Sequence, residues 1–310
     1  MSHPIPDPVP GPAPVSPTLL PTLPPGLRAA YPWTGQTIEV DGGTMHYLDV
    51  GPRDAPVILA VHGNPTWSFY WRNLITALAP NHRVIAPDHI GCGLSDKPQG
   101  WTYRLADHIA NLERLVLELD LRDITLGVHD WGGAIGLGVA GRHPERFSRL
   151  LIFNTGAFPA PHIPARIAVC RIPGFGALGV RGLNGFARAA TFMATEKGLP
   201  ADVAAGLVAP YDNWADRIAT LRFVEDIPMK PSHPSWSTLV GVDEGLKRLA
   251  HLPVTMFWGE RDWCFTPYFR EQFQLRFPNA EVHKYEDAGH YVVEDAIERI
   301  RPRVVELCAS

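Results

Sequence analysis

The stretch Ile124-Thr125-Leu126-Gly127-Val128-His129-Asp130-Trp131-Gly132-Gly133 decides the fold of this 310-residue chain. Its apolar first half predicts a buried strand, and the small residues after Asp130 predict a sharp turn into a helix. A turn of this kind, the nucleophile elbow, holds one side chain exposed at the carboxyl end of a sheet, and here that side chain is Asp130. An isolated Asp before a helix is more often an N-terminal cap, so the functional interpretation depends on the other motifs.

The remaining apolar segments predict a doubly wound α/β sheet. Apolar runs without two-residue alternation indicate strands that are buried on both faces: 57–61, 84–86, 150–153 and 254–258. A hairpin is predicted around Asp41-Gly42-Gly43, and residues 105–119 have helical periodicity. Alternating strands and helices are typical of a mostly parallel sheet, which binds ligands at the carboxyl ends of its strands.

The chain divides into four predicted segments. Residues 1–33 are predicted to be a Pro-rich disordered tail, because proline at every second position from Pro4 to Pro14 prevents a helix. Residues 34–155 and 237–310 are predicted to form the two parts of the α/β core. Strand patterns stop in residues 156–236, which predicts an inserted helical cap. Its apolar side chains would cover Asp130 and create an apolar pocket.

Composition narrows the classes of function. With 45% hydrophobic and 19% charged residues, the chain is long enough for one large α/β domain with an insertion. A net charge of -4 without clusters of Lys and Arg argues against nucleic-acid binding. Four scattered cysteines and the lack of a Gly-rich dinucleotide loop lead us to expect no disulfide, metal or cofactor. Without a signal peptide or a long apolar span, we expect a cytoplasmic protein with no transmembrane segment.

Asp130 carries the predicted chemistry. A carboxylate with an ordinary pKa of about 3.9 is ionised at neutral pH, so it can attack a saturated carbon without a base and form an ester. Two side chains are predicted to stabilise the departing anion: the amide of Asn64, which follows a strand, and the indole N–H of Trp131. A turn-forming Asn64 and a core-packing Trp131 are the alternatives when each is considered alone.

Asp262 and His290 complete the predicted site. Asp262 follows a predicted strand, where it would orient a histidine, and we prefer it to the neighbouring Glu260. Asn154 follows another strand, but an amide cannot balance an imidazolium. His290 lies after a glycine near the chain end, in the order nucleophile, acid, histidine, and would activate water to cleave the Asp130 ester. The acids close to this histidine are interpreted as ordinary surface charges: Asp287 and Glu294.

Three motifs together resemble the haloalkane dehalogenase family: His62-Gly63-Asn64-Pro65-Thr66-Trp67-Ser68 with Trp71-Arg72, Pro87-Asp88-His89-Ile90-Gly91-Cys92-Gly93-Leu94-Ser95-Asp96-Lys97-Pro98, and His129 to Gly133. The resemblance covers nearly everything beyond the tail. It implies the α/β-hydrolase fold, with a doubly wound, mostly parallel sheet and an inserted helical cap. It also implies a catalytic triad and two residues that stabilise a halide: Asp130, His290 and Asp262, with Asn64 and Trp131.

Within this family, the cap most resembles the β-lactone decarboxylases of long-chain olefin biosynthesis, in segments 153–158, 171–174, 180–184 and 209–214. This resemblance implies conversion of a cis-3-alkyl-4-alkyloxetan-2-one to a long-chain cis-alkene and CO2, and assembly with other olefin-biosynthesis enzymes. The alternative is a haloalkane dehalogenase, which hydrolyses 1-haloalkanes to alcohol and halide through an Asp-alkyl ester. A non-catalytic binding protein of this fold is a lesser alternative. The expected ligand is a small hydrophobic substrate, either a long-chain β-lactone or an alkyl halide.

Two neighbouring families resemble the chain less well. Epoxide hydrolases use two cap tyrosines, whereas the cap predicted here contains only Tyr211. Fluoroacetate dehalogenases carry an Arg after the nucleophile to bind the substrate carboxylate, where this chain has Trp131. A small charged acid is therefore not the expected substrate.

Overall fold

The computed structural model of the protein describes residues 25–309. Within them, eight strands form one sheet: β1 (Gln36–Val40), β2 (Gly43–Val50), β3 (Val57–Val61), β4 (Arg83–Pro87), β5 (Ile124–Asp130), β6 (Phe147–Thr155), β7 (Val254–Gly259) and β8 (Glu281–Tyr285). Their order across the sheet is β1-β2-β4-β3-β5-β6-β7-β8. The β1–β2 and β2–β4 pairs are antiparallel, and the remaining pairs are parallel. The predicted doubly wound, mostly parallel sheet is confirmed.

The central strands are buried on both faces, as their apolar runs predict. Alternate side chains of β3 point to opposite sides, so that Leu59 and Val61 join one hydrophobic cluster and Ile58 and Ala60 join the other. The predicted hairpin is also confirmed, because β1 and β2 pair directly across the tight turn at Asp41. The sheet is therefore a rigid platform whose carboxyl edge can position side chains.

Helices cover the sheet and supply the segment between β6 and β7. They are α1 (Pro25–Ala30), α2 (Arg72–Leu78), α3 (Leu105–Glu118), α4 (Trp131–Arg142), α5 (Ala165–Cys170), α6 (Phe175–Ala177), α7 (Gly185–Met193), α8 (Ala201–Val208), α9 (Ile218–Glu225), α10 (Trp236–Leu246), α11 (Pro267–Arg276), α12 (Val292–Asp295) and α13 (Ile297–Ala309). Short 3-10 turns cover Ser68–Trp71, Pro144–Arg146 and Lys247–Leu249, and a π turn covers Leu178–Gly182. Helices α5 to α9 fall within residues 156–236, which we propose to act as the cap.

Part of the predicted tail differs from expectation. Residues 1–24 lie outside the described residues, but α1 follows them directly, and Leu27 and Tyr31 are buried. Tyr31 packs against Trp67 and donates or accepts a hydrogen bond of 2.7 Å with Ser68. The prediction of a disordered tail is therefore wrong for residues 25–33, because their apolar side chains are anchored on the core.

Two elements near the chain end also differ from the sequence analysis. Strand β8 was not predicted, because as an edge strand it carries polar, partly exposed residues. The apolar spacing of residues 292–307 predicts a single helix, whereas the structure divides this segment at Ala296 into α12 and α13. Among the helices of residues 25–309, none combines the length and apolar character that crossing a membrane requires.

Candidate active site

Asp130 lies at the sharp turn between β5 and α4. Its backbone has φ +52° and ψ -127°, a conformation that residues other than glycine rarely adopt. Glycines provide the space: a Cβ at Gly63 would lie 2.2 Å from Oδ1 of Asp130, and a Cβ at Gly132 would lie 2.2 Å from the carbonyl oxygen of Val61. The small residues around Asp130 thus allow the strand to turn directly into the helix.

The carboxylate of Asp130 is buried and held by backbone donors. Its Oδ1 accepts a hydrogen bond of 2.7 Å from the backbone N–H of Asn64, and the backbone N–H of Trp131 donates to the same carboxylate. Its Oδ2 lies 3.5 Å from Nε2 of His290. Burial raises the pKa of Asp130, although His290 and the two backbone donors act in the opposite direction. The carboxylate is therefore fixed in direction and lies beside a histidine.

His290 connects Asp130 with Asp262. Its Nδ1 donates a hydrogen bond of 2.8 Å to Oδ2 of Asp262, whose Oδ1 accepts from the backbone N–H groups of Cys264 and Phe265 at 2.6 and 3.0 Å. Burial by itself would lower the pKa of His290, but the charge and hydrogen bond of Asp262 and the charge of Asp130 raise it above its ordinary value of 6.5. Three predicted site residues therefore lie together, with the imidazole between two carboxylates.

Asn64 and Trp131 line the same cavity as Asp130 and His290. The cavity has a volume of about 390 Å³, and its walls are mainly apolar side chains from the core and from residues 156–236. Asn64 donates one amide hydrogen to the carbonyl oxygen of Thr220, at 3.2 Å, which leaves its second hydrogen for a ligand. The indole N–H of Trp131 has no hydrogen-bond partner within residues 25–309. Both side chains thus retain a donor beside the carboxylate.

Two alternatives considered from the sequence lie elsewhere. Glu260 forms a largely buried ion pair with Arg270 at 2.8 Å and does not contact His290. Tyr211 is buried, and its hydroxyl lies 3.5 Å from the carbonyl oxygen of Thr66 rather than on the cavity wall. Residues 156–236 therefore supply no tyrosine to the cavity wall, and the tyrosine that lines the cavity, Tyr291, follows His290 in the core.

The two acids close to His290 differ from each other. Asp287 is half exposed and pairs with Arg299 and Lys197, as expected of a surface charge. Glu294 is partly buried, with its side chain 7% exposed, and forms a bidentate ion pair with Arg72, at 2.6 and 2.8 Å, so the prediction of a surface charge is wrong for this residue. A largely covered carboxylate is retained there because a guanidinium from a distant part of the chain matches both of its oxygens.

Sequence reasoning missed two side chains that hold the site. Asn154 is buried and its Nδ2 donates a hydrogen bond of 3.0 Å to Oδ2 of Asp262. His129 is buried and its Nε2 lies 2.9 Å from the carbonyl oxygen of His290. The position of His129 next to Asp130 in the elbow motif is a sequence signal that could have identified it. The sequence analysis treats Asn154 only as an amide that cannot replace the acid of the site, and not as a hydrogen-bond donor to that acid.

Comparison with known proteins places the chain among related enzymes. Residues 56–297 match the α/β hydrolase fold family. The cis-3-alkyl-4-alkyloxetan-2-one decarboxylase of Shewanella oneidensis is 42% identical over 281 residues, which cover 88% of each chain. The decarboxylase of the same name from Xanthomonas campestris pv. campestris is 41% identical over 286 residues, which cover 88% of this chain and 95% of the relative.

Dehalogenases are similar at lower identity. Haloalkane dehalogenase 2 of Mycobacterium bovis is 30% identical over 296 residues, which cover 89% of this chain and 95% of the relative. The crystal structure of haloalkane dehalogenase DbeA from Bradyrhizobium elkani superimposes with a TM-score of 0.81 at 28% identity, over 89% of this chain and 97% of that one. The chain belongs to the α/β-hydrolase family, among the haloalkane dehalogenase-like members that include the cis-3-alkyl-4-alkyloxetan-2-one decarboxylases.

Proposed function

We propose that this protein is a β-lactone decarboxylase, which converts a cis-3-alkyl-4-alkyloxetan-2-one to a long-chain cis-alkene and CO2. The observation that carries the proposal is the carboxylate of Asp130, held by two backbone N–H groups and facing an apolar cavity of about 390 Å³. An uncharged lactone with two alkyl chains matches walls of this kind. Identity of 41% and 42% to decarboxylases, against 30% to a dehalogenase, favours the lactone as substrate.

In the proposed reaction, Asp130 attacks C4 of the ring, the carbon that bears the ring oxygen. The C4–O bond breaks, the ring oxygen becomes part of a free carboxylate, and an ester joins Asp130 to C4. The bond between C3 and that carboxylate then breaks. Its electron pair forms the C3=C4 double bond, CO2 leaves, and the carboxylate of Asp130 is expelled. The step consumes no water, proton or redox partner.

The products favour attack at C4 over attack at the carbonyl carbon. Displacement at C4 inverts the configuration at that carbon. An anti elimination of CO2 and the Asp130 carboxylate then gives the cis alkene from a cis lactone. Attack at the carbonyl carbon would instead give an anhydride with Asp130, and its breakdown by water would yield a hydroxy acid. Decarboxylation to an alkene therefore requires that the nucleophile reach C4.

The other four site residues have proposed roles around this centre. Asn64 and Trp131 donate hydrogen bonds to the carboxylate that forms when the ring opens, and one such donor typically contributes on the order of 10²–10³ in rate. His290, oriented by Asp262, keeps positive charge beside Oδ2 of Asp130 and stabilises this carboxylate when it is expelled; the raised pKa of His290 supports this role. The apolar cavity excludes the water that would hydrolyse the ester.

Dehalogenation is the second candidate, and the same geometry supports it. With a 1-haloalkane, Asp130 would form an alkyl ester while Asn64 and Trp131 stabilise the leaving halide. A neutral His290 would then take a proton from water, and the resulting attack on the ester would release the alcohol and regenerate Asp130. The TM-score of 0.81 to a haloalkane dehalogenase is the observation that favours this reaction.

Two substrates separate these candidates. Purified protein is incubated with a cis-dialkyl β-lactone and, separately, with 1-bromoalkanes, and alkene is measured by gas chromatography and bromide by ion chromatography. We expect rapid alkene formation from the lactone, lost in Asp130→Asn. Efficient bromide release without alkene would overturn the lactone assignment in favour of dehalogenation. If neither alkene nor bromide forms, the result would favour a binding protein of this fold.

A trapping experiment tests the nucleophile itself. Because a non-basic residue at position 290 cannot activate water, His290→Gln treated with a 1-bromoalkane is expected to accumulate an alkyl ester on Asp130, detected by peptide mass spectrometry. The double variant with Asp130→Asn is the control and is expected to remain unlabelled. A folded His290→Gln variant that never becomes labelled would contradict nucleophilic attack by Asp130.

We also propose that the protein acts in the cytoplasm in an assembly with the enzymes that make its lactone. The low solubility of a long-chain lactone supports transfer between neighbouring active sites. Co-purification of the co-expressed enzymes, followed by size-exclusion chromatography, tests this assembly, and independent elution of every component would contradict it.

A further inference from the structure

We propose that the outer surface of residues 165–193, which we name the cap face, binds an anionic lipid surface and opens the cavity toward it. The described residues include eleven large hydrophobic side chains that are exposed, and six of them lie on this short segment: Val169, Ile172, Phe175, Leu178, Leu183 and Phe192. Five of these six are more than half exposed, up to 69% for Leu183 and Phe192. Such concentration of exposed apolar side chains marks an interaction surface.

The positive charge of the same segment indicates which kind of partner the cap face binds. The whole chain carries 32 acidic residues among 310, yet residues 155–195 contain four arginines and no Asp or Glu. Two of the arginines are engaged in the protein: Arg181 is buried, and Arg171 is half-buried near Glu225 and Asp226. The other two are exposed: Arg166 and Arg188. Exposed apolar side chains flanked by cations are typical of protein surfaces that bind anionic lipids.

The acids nearest to the cap face do not cancel this charge. Glu225 pairs with Arg222 at 2.7 Å, and Asp226 pairs with Arg104 at 2.7 Å. Asp226 also accepts hydrogen bonds from the hydroxyl of Ser235. Among the described residues, the two exposed arginines of the cap face, Arg166 and Arg188, form no ion pair, although Arg166 also lies over the ring of Trp263. These two side chains are therefore available to an external anion.

The cap face is continuous with the cavity that contains Asp130. Phe175 and Leu183 line the cavity and yet are 62% and 69% exposed, and the exposed Arg166 also contributes to its wall. Side chains that line the cavity and are also exposed to solvent lie where the cavity opens to the surface. An apolar molecule dissolved in a bilayer could then enter between them without crossing water. This consequence for substrate entry rests on the proposed function, whereas lipid binding does not.

A second copy of the chain fits the cap face less well than a lipid surface does. Self-association would bring the exposed arginines of two copies together, and like charges at an interface oppose binding. An anionic bilayer satisfies both features of the surface, since its headgroups attract the arginines and its interior accepts the apolar side chains. The charge of the cap face thus favours lipid over a homodimer.

Vesicle flotation of the full-length protein tests the proposal. We expect the protein to bind vesicles made of equal parts phosphatidylglycerol and phosphatidylcholine, and to bind pure phosphatidylcholine at least fivefold more weakly. The double variant Ile172→Ser with Leu178→Ser changes exposed residues outside the cavity wall and is expected to lower binding at least tenfold. Arg166→Gln with Arg188→Gln is expected to remove the preference for the anionic vesicles.

Leu275→Ser is the matched control, because Leu275 is 74% exposed but lies on α11, away from the cap face. It is expected to bind vesicles as the parent does, with thermal unfolding confirming that every variant is folded. Absence of vesicle binding by the parent, or undiminished binding by the Ile172/Leu178 variant, would overturn the proposal. A dimer that this variant abolishes, without vesicle binding, would assign the surface to a second copy instead. Since flotation requires no turnover, its failure is distinguishable from failure of the proposed function.

Discussion

His290 is surrounded by charges that change during the proposed reaction. Its Nδ1 is hydrogen-bonded to Asp262, and its Nε2 lies 3.5 Å from Oδ2 of Asp130. Both carboxylates raise its pKa in the free protein. An ester on Asp130 carries no charge, so ester formation removes one of these two effects and lowers the pKa of His290. Asp262 still favours the imidazolium at this stage, as the lactone reaction requires. In a dehalogenase, which needs a base at the ester stage, the lowered pKa would make the neutral imidazole easier to reach.

This coupling predicts a shift in titration. In Asp130→Asn, the pKa of His290 is expected to fall, because the charge of Asp130 is removed while that of Asp262 remains. The measurement is the pH dependence of the His290 imidazole signals by NMR. Because the parent pKa lies above the ordinary 6.5, the imidazolium stabilises the parent at low pH, and this contribution is lost as pH rises through the folded-state pKa. The variant is expected to lose it at lower pH.

Glu260→Gln is the control for that titration. Glu260 belongs to the same loop as Asp262 but is paired with Arg270, so its neutralisation is expected to leave the pKa of His290 unchanged. An equal shift in both variants would mean that the general charge of the protein, and not the adjacent carboxylate, sets the protonation of His290.

Site residues were predictable where a strand end or a turn marks them. Asp130, Asp262 and His290 each follow such a signal, and the structure brings the three together. Glu294 gives no comparable signal, because its partner Arg72 is 222 positions away in the chain. One sequence shows which residue types are present, but it does not reveal pairings that only the packed fold creates.

The turn between β5 and α4 tolerates only a small residue next to Trp131. A Cβ at Gly132 would meet the backbone of Val61, which cannot move without distorting β3. Gly132→Ala is therefore expected to lower the free energy of unfolding by about 2–3 kcal/mol, a typical cost of overpacking, and to reduce turnover. Chemical denaturation measures the first effect and initial rates measure the second.

Gly241 offers a matched control in another helix. It lies within α10, and a Cβ added there would have nothing within 4 Å. Gly241→Ala is expected to raise the free energy of unfolding by about 0.5–1 kcal/mol, because alanine is the better helix former and restricts the unfolded chain. Similar destabilisation by both substitutions would contradict the steric argument for the elbow.

Asp295 joins the segment after α7 to the loop that carries His290. This buried carboxylate accepts hydrogen bonds from the hydroxyl of Thr195 at 2.8 Å and from the backbone N–H of Gly289 at 2.8 Å. The backbone N–H groups of Glu196 and Lys197 donate to it as well, at 2.9 and 3.1 Å. One side chain at the end of α12 thus fixes both the end of the cap helix and the histidine loop.

Asp295→Asn is expected to lower the free energy of unfolding by about 2–4 kcal/mol, because hydrogen bonds to a charge are lost and a buried donor faces other donors. Turnover is expected to fall on the order of tenfold as Gly289 and the adjacent His290 become less constrained. Thermal unfolding and kcat are the measurements. Glu298→Gln, at an exposed site on α13, is expected to change stability by less than about 0.5 kcal/mol. Equal effects of the two substitutions would argue against Asp295 as a positioning residue.

Elements were predictable from apolar runs and less so from polar segments. The strands of the buried centre have continuous apolar sequences, whereas β8 has the sequence Glu281-Val282-His283-Lys284-Tyr285 and lies at the sheet edge. The burial of Leu27 and Tyr31 could not be predicted either, because these residues follow a Pro-rich stretch whose composition predicts disorder. Their order depends on contacts with residues far along the chain, which local composition does not encode.

In the whole molecule, the cavity lies between the carboxyl edge of the sheet and residues 156–236, and these two parts supply different kinds of side chain. The edge of the sheet supplies the fixed polar groups, Asp130 and His290 among them, while residues 156–236 supply much of the apolar wall. Asp130 is held by backbone N–H groups and His290 by the carboxylate of Asp262, so both are suited to setting the reaction. The apolar wall makes few directional contacts, so its side chains are suited to setting the length of the alkyl chains.

Ala189 tests this division of tasks, because it lies on α7 and lines the cavity. Ala189→Phe fills part of the 390 Å³ without touching the backbone donors of Asp130. Each buried methylene contributes about 0.8 kcal/mol, so excluding two of them is expected to lower kcat/KM for long-chain lactones roughly tenfold. Short-chain lactones should retain their turnover. Ala165→Phe, on the exposed side of α5 and outside the cavity wall, is expected to leave the chain-length profile unchanged. A uniform loss over all chain lengths in Ala189→Phe would mean that the wall and the reacting groups are not independent.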